Sequence, residues 1–212
     1  AEVNELCAQL LHEVEKEVTS LLSDLIRINT TNPPGNETLA ARFLAKTLAD
    51  EGLKCEVIES GPGRGNVITS IKGTGKKPSL MLLSHLDVVL AVEKEWSVNP
   101  FSGLVKDGFV WGRGAIDMKS FVAIETLVMK LLVRNQVKPK GDIIFAATAD
   151  EEKGGNAGVG WLIENHPEKI KTDYVINEGG GESFPINEKH IFTIQTAEKG
   201  VNWLRIKAKG SP

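Results

Sequence analysis

Short apolar runs alternate with amphipathic helical patterns along most of this 212-residue chain. The runs have the length of buried strands, and the helical segments carry apolar residues three or four positions apart. Strands that alternate with helices in this way form parallel sheets with helices on both faces. The sequence therefore predicts a three-layer α/β/α sandwich with a mostly parallel central sheet. The predicted elements are helices over 2–28, 37–50, 119–134 and 157–165, and strands over 54–58, 66–71, 79–84, 142–148, 174–177 and 190–195.

The last part of the chain follows a different pattern. Residues 201–208 alternate apolar and polar side chains, which is typical of a half-exposed antiparallel strand. We therefore expect residues 1–199 to belong to one domain and residues 200–212 to begin a second.

Charge and cysteine content exclude several classes of protein. The chain has 25 basic and 28 acidic residues, a formal net charge of −3 and no long basic run. It therefore lacks the basic surface of a nucleic-acid-binding protein and the polybasic segment that binds anionic membranes. Its apolar runs are also far too short to span a membrane. Cys7 and Cys55 are too few for a disulfide framework or a cysteine-rich zinc site, which predicts a reducing, cytoplasmic setting.

One histidine and several carboxylates stand directly after predicted strands. They are His85 and Asp87 after the strand over 79–84, Asp150, Glu151 and Glu152 after the strand over 142–148, and Glu178 after the strand over 174–177. Ligands of open α/β sheets bind beyond the carboxyl ends of the strands, so these side chains are expected at one rim. A glycine-containing turn brings Asp117 to the same region, just ahead of a helix.

Taken singly, each of these residues has an ordinary structural explanation. Asp117 could cap the following helix, Glu151 and Glu152 could be acidic residues in the first turn of a helix, and His85 could be a hydrogen-bonded structural residue. Together they are harder to explain, because crowded carboxylates repel one another and raise one another's pKa. Cations would remove this conflict. Histidine with carboxylate oxygens suits zinc, with manganese or cobalt as further options.

Three motifs occur in the order found in one enzyme family. They are Ser84-His85-Leu86-Asp87, the segment 108–119 that contains Asp117, and Asp150-Glu151-Glu152 with Gly154-Gly155. With these motifs, and with Asn32-Pro33-Pro34-Gly35, the chain resembles the dinuclear zinc family of aminoacylase, acetylornithine deacetylase, succinyl-diaminopimelate desuccinylase and glutamate carboxypeptidase. The resemblance spans nearly the whole chain.

The resemblance implies four metal ligands and two zinc ions. His85 and Glu178 would bind one zinc, Glu152 would bind the second, and Asp117 would bridge both. The family's second zinc also takes a histidine from near the C-terminal end of the catalytic domain, and a lid-domain histidine stabilises the oxyanion. We expect both histidines beyond Pro212, because no other histidine of this chain stands in a matching motif.

The resemblance also implies two catalytic residues. Asp87 would orient His85, since the acid can accept the proton on the second imidazole nitrogen and fix the tautomer that binds metal. Glu151 would be the general base that takes a proton from the attacking water and passes it to the leaving amine. The peptide bond after Asp117 is often cis in this family.

The resemblance assigns residues 1–199 to the N-terminal part of a zinc-dependent catalytic domain and residues 200–212 to the start of a lid domain. The full-length protein would be a homodimer through the lid. It would hydrolyse the amide bond of an N-acyl amino acid or a short peptide, and we expect the 212-residue chain alone to be inactive.

Two alternative functions stay open. One is an aminopeptidase or dipeptidase that acts on free-amine peptides, and the other is a relative that binds ligands without catalysis. A nucleotide-binding module is disfavoured, because the glycine-rich segments 61–65 and 73–77 lack the Gly-x-x-x-x-Gly-Lys-Ser/Thr pattern of a phosphate loop. Both segments are interpreted as turns between strands.

Overall fold

The computed structural model describes residues 2–179, 183–187, 189–194, 197, 200 and 204–210. The chain divides into two compact units, residues 1–178 and 179–212. The helices of the first unit are α1 (Glu2–Arg27), α2 (Glu37–Ala49), α3 (Lys119–Arg134), α4 (Val159–Asn165) and α5 (Pro167–Ile170). Its strands are β1 (Cys55–Glu59), β2 (Gly65–Ile71), β3 (Leu80–His85), β4 (Leu104–Lys106), β5 (Phe109–Trp111), β6 (Ile143–Thr148) and β7 (Tyr174–Ile176). The second unit contains an antiparallel hairpin of β8 (Ser183–Ile186) and β9 (Lys189–Phe192).

The central sheet has five strands in the order β1-β2-β6-β3-β7. Strand β3 pairs in parallel with β6 and β7, whereas β2 pairs antiparallel with β1 and β6. The sheet is therefore mixed rather than mostly parallel, because the short glycine-rich turn after β1 folds β2 back as a hairpin. His85 pairs with Thr148 in the parallel register, so β3 and β6 end at the same rim.

Helices cover both faces of this sheet. Successive residues of a strand point to opposite faces. Phe145 accordingly packs in the core beneath α1, α2 and α3, whereas Ile144 and Ala146 pack on the other side with Leu162 of α4. The predicted three-layer α/β/α architecture is confirmed.

The predicted helices and the strands of the central sheet lie within a few residues of the observed ones. Segment 61–65 joins β1 to β2 and segment 73–77 follows β2, as the turn interpretation predicts. The β4–β5 hairpin was not predicted, because three-residue strands carry too little periodicity. Asp107 and Gly108 form its turn, with φ of 54° and 78°, and Asp-Gly is a recognised hairpin signal.

The strand predicted over 201–208 has a different outcome. Residues 201–203 lie outside the described residues, and residues 204–208 form no strand. Alternating side chains do not make a strand without a partner strand for the hydrogen-bond ladder. The predicted boundary at residue 199 stays a prediction. Among the described residues, no helix is both long enough and apolar enough to cross a bilayer.

Candidate metal centre

His85 ends β3, and its imidazole faces three carboxylates. The side chain is 2% exposed, and Nε2 lies 3.1 Å from Asp117 Oδ1. The same nitrogen lies 3.4 Å from Glu178 Oε1 and 3.7 Å from Glu151 Oε2. One imidazole nitrogen is therefore surrounded by three acids, all of them among the residues that the sequence predicts for the site.

Two acids of the site come from a tight turn after β6. Asp150 has a left-handed backbone with φ of 68°, and it turns the chain into the short 3-10 helix Glu151–Lys153. This turn holds Glu151 and Glu152 side by side at the rim. Glu151 is half exposed, whereas Glu152 is partly buried.

Asp117 and Glu178 reach the rim from two other segments. The Asp117–Met118 peptide bond is cis, as the resemblance implies. Asp117 does not cap α3, because Met118 is the N-cap residue and no side-chain hydrogen bond caps this helix. The Met118 Sδ atom instead accepts the His85 N–H at 3.3 Å. Glu178 follows the end of β7 by two residues.

Two overlapping groups of side chains could each hold a metal ion. The ligand atoms of His85, Asp117 and Glu152 all lie within 4.8 Å of one another, and so do those of His85, Glu151 and Glu178. The structure thus brings the four predicted ligands and the predicted base together at one rim.

The electrostatics of the rim fit a divalent cation. Burial raises the pKa of Glu152 and of Glu178, and the negative charge of Asp117 raises both further. Glu152 Oε1 is also buried without a hydrogen-bond partner among the described residues. A buried polar atom without a partner is costly. A cation would pair with this oxygen and reduce the repulsion between the carboxylates.

His85 is held on its second nitrogen by Asp87. Nδ1 lies 3.0 Å from the backbone carbonyl oxygen of Asp87 and 3.5 Å from its carboxylate Oδ1. A proton on Nδ1 is therefore donated to Asp87, which leaves Nε2 free to bind a cation. In the metal-free protein, burial lowers the pKa of His85, but the carboxylates of Asp87, Glu178 and Glu151 outweigh burial and raise this pKa to about 9.

The Asp87 carboxylate has further partners that the sequence did not predict. Oδ1 accepts the backbone N–H of Glu151 at 3.0 Å, and Oδ2 accepts that of Glu152 at 3.1 Å. The Asn32 side-chain amide donates to Oδ2 at 2.8 Å. Burial raises the pKa of Asp87, but the hydrogen bonds from His85 and Asn32 help to lower it below its ordinary value.

Sequence reasoning placed Asp150 at the rim and Asn32 in a motif without giving either a role, and it missed Arg64 altogether. Arg64 Nη2 donates to Asp150 Oδ1 at 2.5 Å, and Asn32 Nδ2 donates to the same oxygen at 2.9 Å. Asn32 stood in a motif that carries the resemblance, yet its partners lie 55 and 118 residues away in sequence. No local pattern signals such contacts.

Comparisons with known proteins find relatives of this chain. The sequence model of peptidase family M20/M25/M40 matches residues 81–200. Aminoacylase-1 of Sus scrofa is 32% identical over 208 residues, which cover 94% of this chain and 49% of that protein. An uncharacterised metallohydrolase of Methanocaldococcus jannaschii is 30% identical, covering 92% of this chain and 50% of that protein.

A solved structure shares the fold. The M20 family metallo-carboxypeptidase Sso-CP2 from Sulfolobus solfataricus superimposes with a TM-score of 0.66 and 25% identity, over 78% of this chain and 38% of that one. The chain spans about half the length of the curated relatives it matches. Since the family model covers more than half of the chain, and includes the histidine and the acids at the rim, the chain belongs to peptidase family M20/M25/M40.

Proposed function

We propose that the protein containing this chain is a metal-dependent hydrolase that cleaves the amide bond of N-acyl amino acids or short peptides. The observation that carries this proposal is the position of His85 Nε2, within 3.7 Å of carboxylate oxygens from Asp117, Glu178 and Glu151. The likeness to aminoacylase-1 supports an N-acyl amino acid substrate.

His85 and Glu178 would hold one zinc ion, Glu152 the other, and Asp117 would bridge them, with cobalt or manganese as substitutes. All four side chains belong to the two ligand groups, which supports a metal centre formed by these residues, and the division of the ligands between two ions rests on the resemblance. When bound, such ions would lower the pKa of the attacking water and polarise the amide carbonyl.

Glu151 would move the proton. Its side chain is half exposed at the rim, within reach of water, and its backbone N–H is fixed by Asp87. A carboxylate in this position accepts a proton from the attacking water and returns it to the leaving amine. Because Glu151 shares a ligand group with His85 and Glu178, its assignment as base rather than ligand needs a direct test.

The remaining assignments rest on the resemblance and on cysteine usage. We propose that residues 1–199 belong to the catalytic domain and that residues 200–212 begin the lid. The full-length protein would dimerise through this lid and act in the cytoplasm.

The test uses the full-length protein with Glu151→Gln. We expect this variant to bind as much zinc as wild type and to hydrolyse N-acetyl amino acids at least about 100-fold more slowly, the usual contribution of a general base. Glu164→Gln, an exposed residue of α4, is the matched control and should leave turnover unchanged. Normal turnover of Glu151→Gln, or a lost zinc ion, would contradict the role of Glu151 as base.

A substrate panel separates the alternatives. N-acetyl amino acids are compared with unmodified dipeptides on the zinc-loaded wild type. Hydrolysis of the dipeptides alone would favour a dipeptidase or aminopeptidase. Zinc binding without hydrolysis of either class would favour a non-catalytic binding protein.

A further inference from the structure

An almost buried guanidinium lies behind the turn that carries Glu151 and Glu152. Arg64, from the turn between β1 and β2, has a side chain that is 12% exposed. Its Nη1 donates to the Pro34 carbonyl at 2.8 Å, and its Nη2 donates to Asp150. Nη1 also lies 3.2 Å from the fully buried carboxylate of Glu37. One side chain thus joins the loop before α2, the start of α2 and the turn after β6.

Asp150 closes the turn on itself. Its Oδ2 accepts the backbone N–H of Ala157 at 3.0 Å, and its carbonyl accepts the N–H groups of Gly155 at 2.6 Å and Lys153 at 3.2 Å. The loop over 150–157 is therefore organised around a single residue. That residue, Asp150, accepts the hydrogen bond from Arg64 Nη2.

Asn32 connects this loop to the histidine. Its side-chain amide donates to Asp150 Oδ1 at 2.9 Å and to Asp87 Oδ2 at 2.8 Å. Asp87 in turn accepts the backbone N–H groups of Glu151 and Glu152. A continuous chain of hydrogen bonds thus runs from Arg64 to the backbone of both acids.

The space for the guanidinium is built into the sequence. Gly35 has φ of +82°, and a Cβ there would lie 1.5 Å from Arg64 Nη1. A Cβ at Gly65 would lie 2.6 Å from the Thr38 Cα, so the strand after Arg64 also depends on glycine to approach α2. Gly35 therefore leaves room for the guanidinium, and Gly65 lets the strand that follows Arg64 pack closely on α2.

We propose that Arg64 is a positioning residue, which acts through Asp150 and Asn32 to hold the Glu151–Glu152 turn in the geometry that binds metal and moves the proton. This inference rests on the roles given above to Glu151 and Glu152. The planar fork of arginine suits the task, because it contacts several acceptors at once in a fixed arrangement. Without the guanidinium of Arg64, the carboxylates of Asp150 and Glu37 would lose the cation that contacts them. The turn that carries Glu151 and Glu152 would then be held less firmly.

The experiment compares wild type, Arg64→Met and Arg42→Met in the full-length protein. Arg42 is the matched control, since its side chain is 67% exposed and pairs with Glu59 on the surface. Hydrogen exchange is measured by mass spectrometry on the metal-free protein, and zinc affinity is measured by titration against a competing chelator. Neither readout depends on hydrolysis, so failure here is distinguishable from failure of the proposed function.

We expect Arg64→Met to accelerate exchange in residues 150–158, with little change in α3. We also expect it to weaken zinc binding about 10-fold, the lower end of the effect of removing a residue that contacts a metal ligand directly, because Arg64 acts through Asp150 and Asn32. Arg42→Met should do neither. Wild-type zinc affinity in Arg64→Met, or exchange that rises equally throughout the chain, would overturn the proposal.

Asp150→Asn provides the second variant, and it carries the same test if Arg64→Met does not fold. It removes the negative charge that Arg64 contacts while it retains the shape of the side chain. We expect the same local exchange and a similar loss of zinc affinity, with little further loss in the double variant, because both changes break one contact. Wild-type behaviour of Asp150→Asn, or full additivity, would show that Arg64 does not act through Asp150.

Discussion

The Asp87 carboxylate accepts the backbone N–H of Glu151, with 3.0 Å between Oδ1 and the nitrogen. The backbone carbonyl oxygen of Asp87 lies 3.0 Å from His85 Nδ1 and accepts a hydrogen bond from it. One aspartate therefore fixes both the imidazole proposed to bind metal and the turn that carries the proposed base. Because the two contacts use different parts of Asp87, the side chain can be altered while the carbonyl contact stays.

Asp87→Asn is expected to weaken zinc binding about 10- to 100-fold. The two carboxylate oxygens of Asp87 accept hydrogen bonds from the backbone N–H groups of Glu151 and Glu152. A carboxamide has only one acceptor oxygen, so its NH₂ group would face one of these N–H groups and the hydrogen bond there would be lost. The measurement is a zinc titration against a competing chelator. Asp50→Asn is the control, since exposed Asp50 pairs with Lys46 away from the site. Affinity within twofold of wild type would contradict the role of this carboxylate.

Lys119→Met is expected to lower the free energy of unfolding by about 2 kcal/mol. Lys119 is buried, and its Nζ donates to the carbonyls of Leu25 at 2.9 Å and Ile28 at 2.7 Å, at the C-terminal end of α1. Methionine fills similar space but leaves both carbonyls without this donor. Urea denaturation of metal-free protein measures the loss, with exposed Lys46→Met as control. Equal loss in the two variants would show that these hydrogen bonds do not stabilise the fold.

The sequence predicted those features that have a local signature. Apolar runs such as 142–148 predict buried strands, and a parallel pair places the residues that follow each strand at one rim. The strand pattern alone therefore predicts that His85, Glu152 and Glu178 lie together. The apolar run of β2 is the same for a parallel and an antiparallel partner, and only the segment 61–65, which is too short for a parallel crossover, indicates the antiparallel direction that our mostly parallel prediction missed.

The support behind the site lacked any such signature. Arg64 contacts Pro34 and Asp150 at separations of 30 and 86 residues. The glycines around Arg64 in the sequence indicate only a turn, because a glycine does not show which atoms pack against it. Gly35 makes room for a guanidinium, and this becomes visible only when both loops are placed in space.

Glu17→Gln is expected to cost about 1 kcal/mol of stability near pH 7, and less as the pH falls. Arg134 of α3 donates to both Glu17 oxygens at 2.7 and 2.9 Å, and this bond, with Lys130, lowers the pKa of Glu17 to about 2. A lowered pKa adds stability above the unfolded value near 4.5, and that stability is lost between 4.5 and 2. Partial exposure of the pair reduces its magnitude.

Thermal unfolding at pH 7 and pH 3 measures this dependence as the difference in Tm between Glu17→Gln and wild type. Asp24→Asn, which breaks the exposed pair of Asp24 with Arg27, is the control and should give a small difference at both pH values. A Glu17→Gln difference that is equally large at pH 7 and pH 3 would mean that the charge of Glu17 is not what stabilises the contact between α1 and α3.

Glu125→Gln is expected to stabilise the protein relative to wild type at pH 8 but not at pH 4. Glu125 on α3 is 5% exposed, and burial raises the pKa of its carboxyl to about 7. In the unfolded chain this carboxyl ionises near 4.5. A raised pKa leaves stability intact below 4.5 and removes it as the pH rises from 4.5 to 7, because over that range the carboxyl ionises in the unfolded chain but stays protonated in the folded one. Glutamine stays neutral throughout and avoids that loss, which we expect to reach about 2 kcal/mol.

Any cost of burying the amide is the same at both pH values, so the change in the stability difference between pH 4 and pH 8 isolates the ionisation of Glu125. Urea denaturation at the two pH values, with exposed Glu164→Gln as control, measures it. An unfolding free-energy difference between Glu125→Gln and wild type that does not change with pH would mean that Glu125 stays ionised, or finds a cation, in the folded protein.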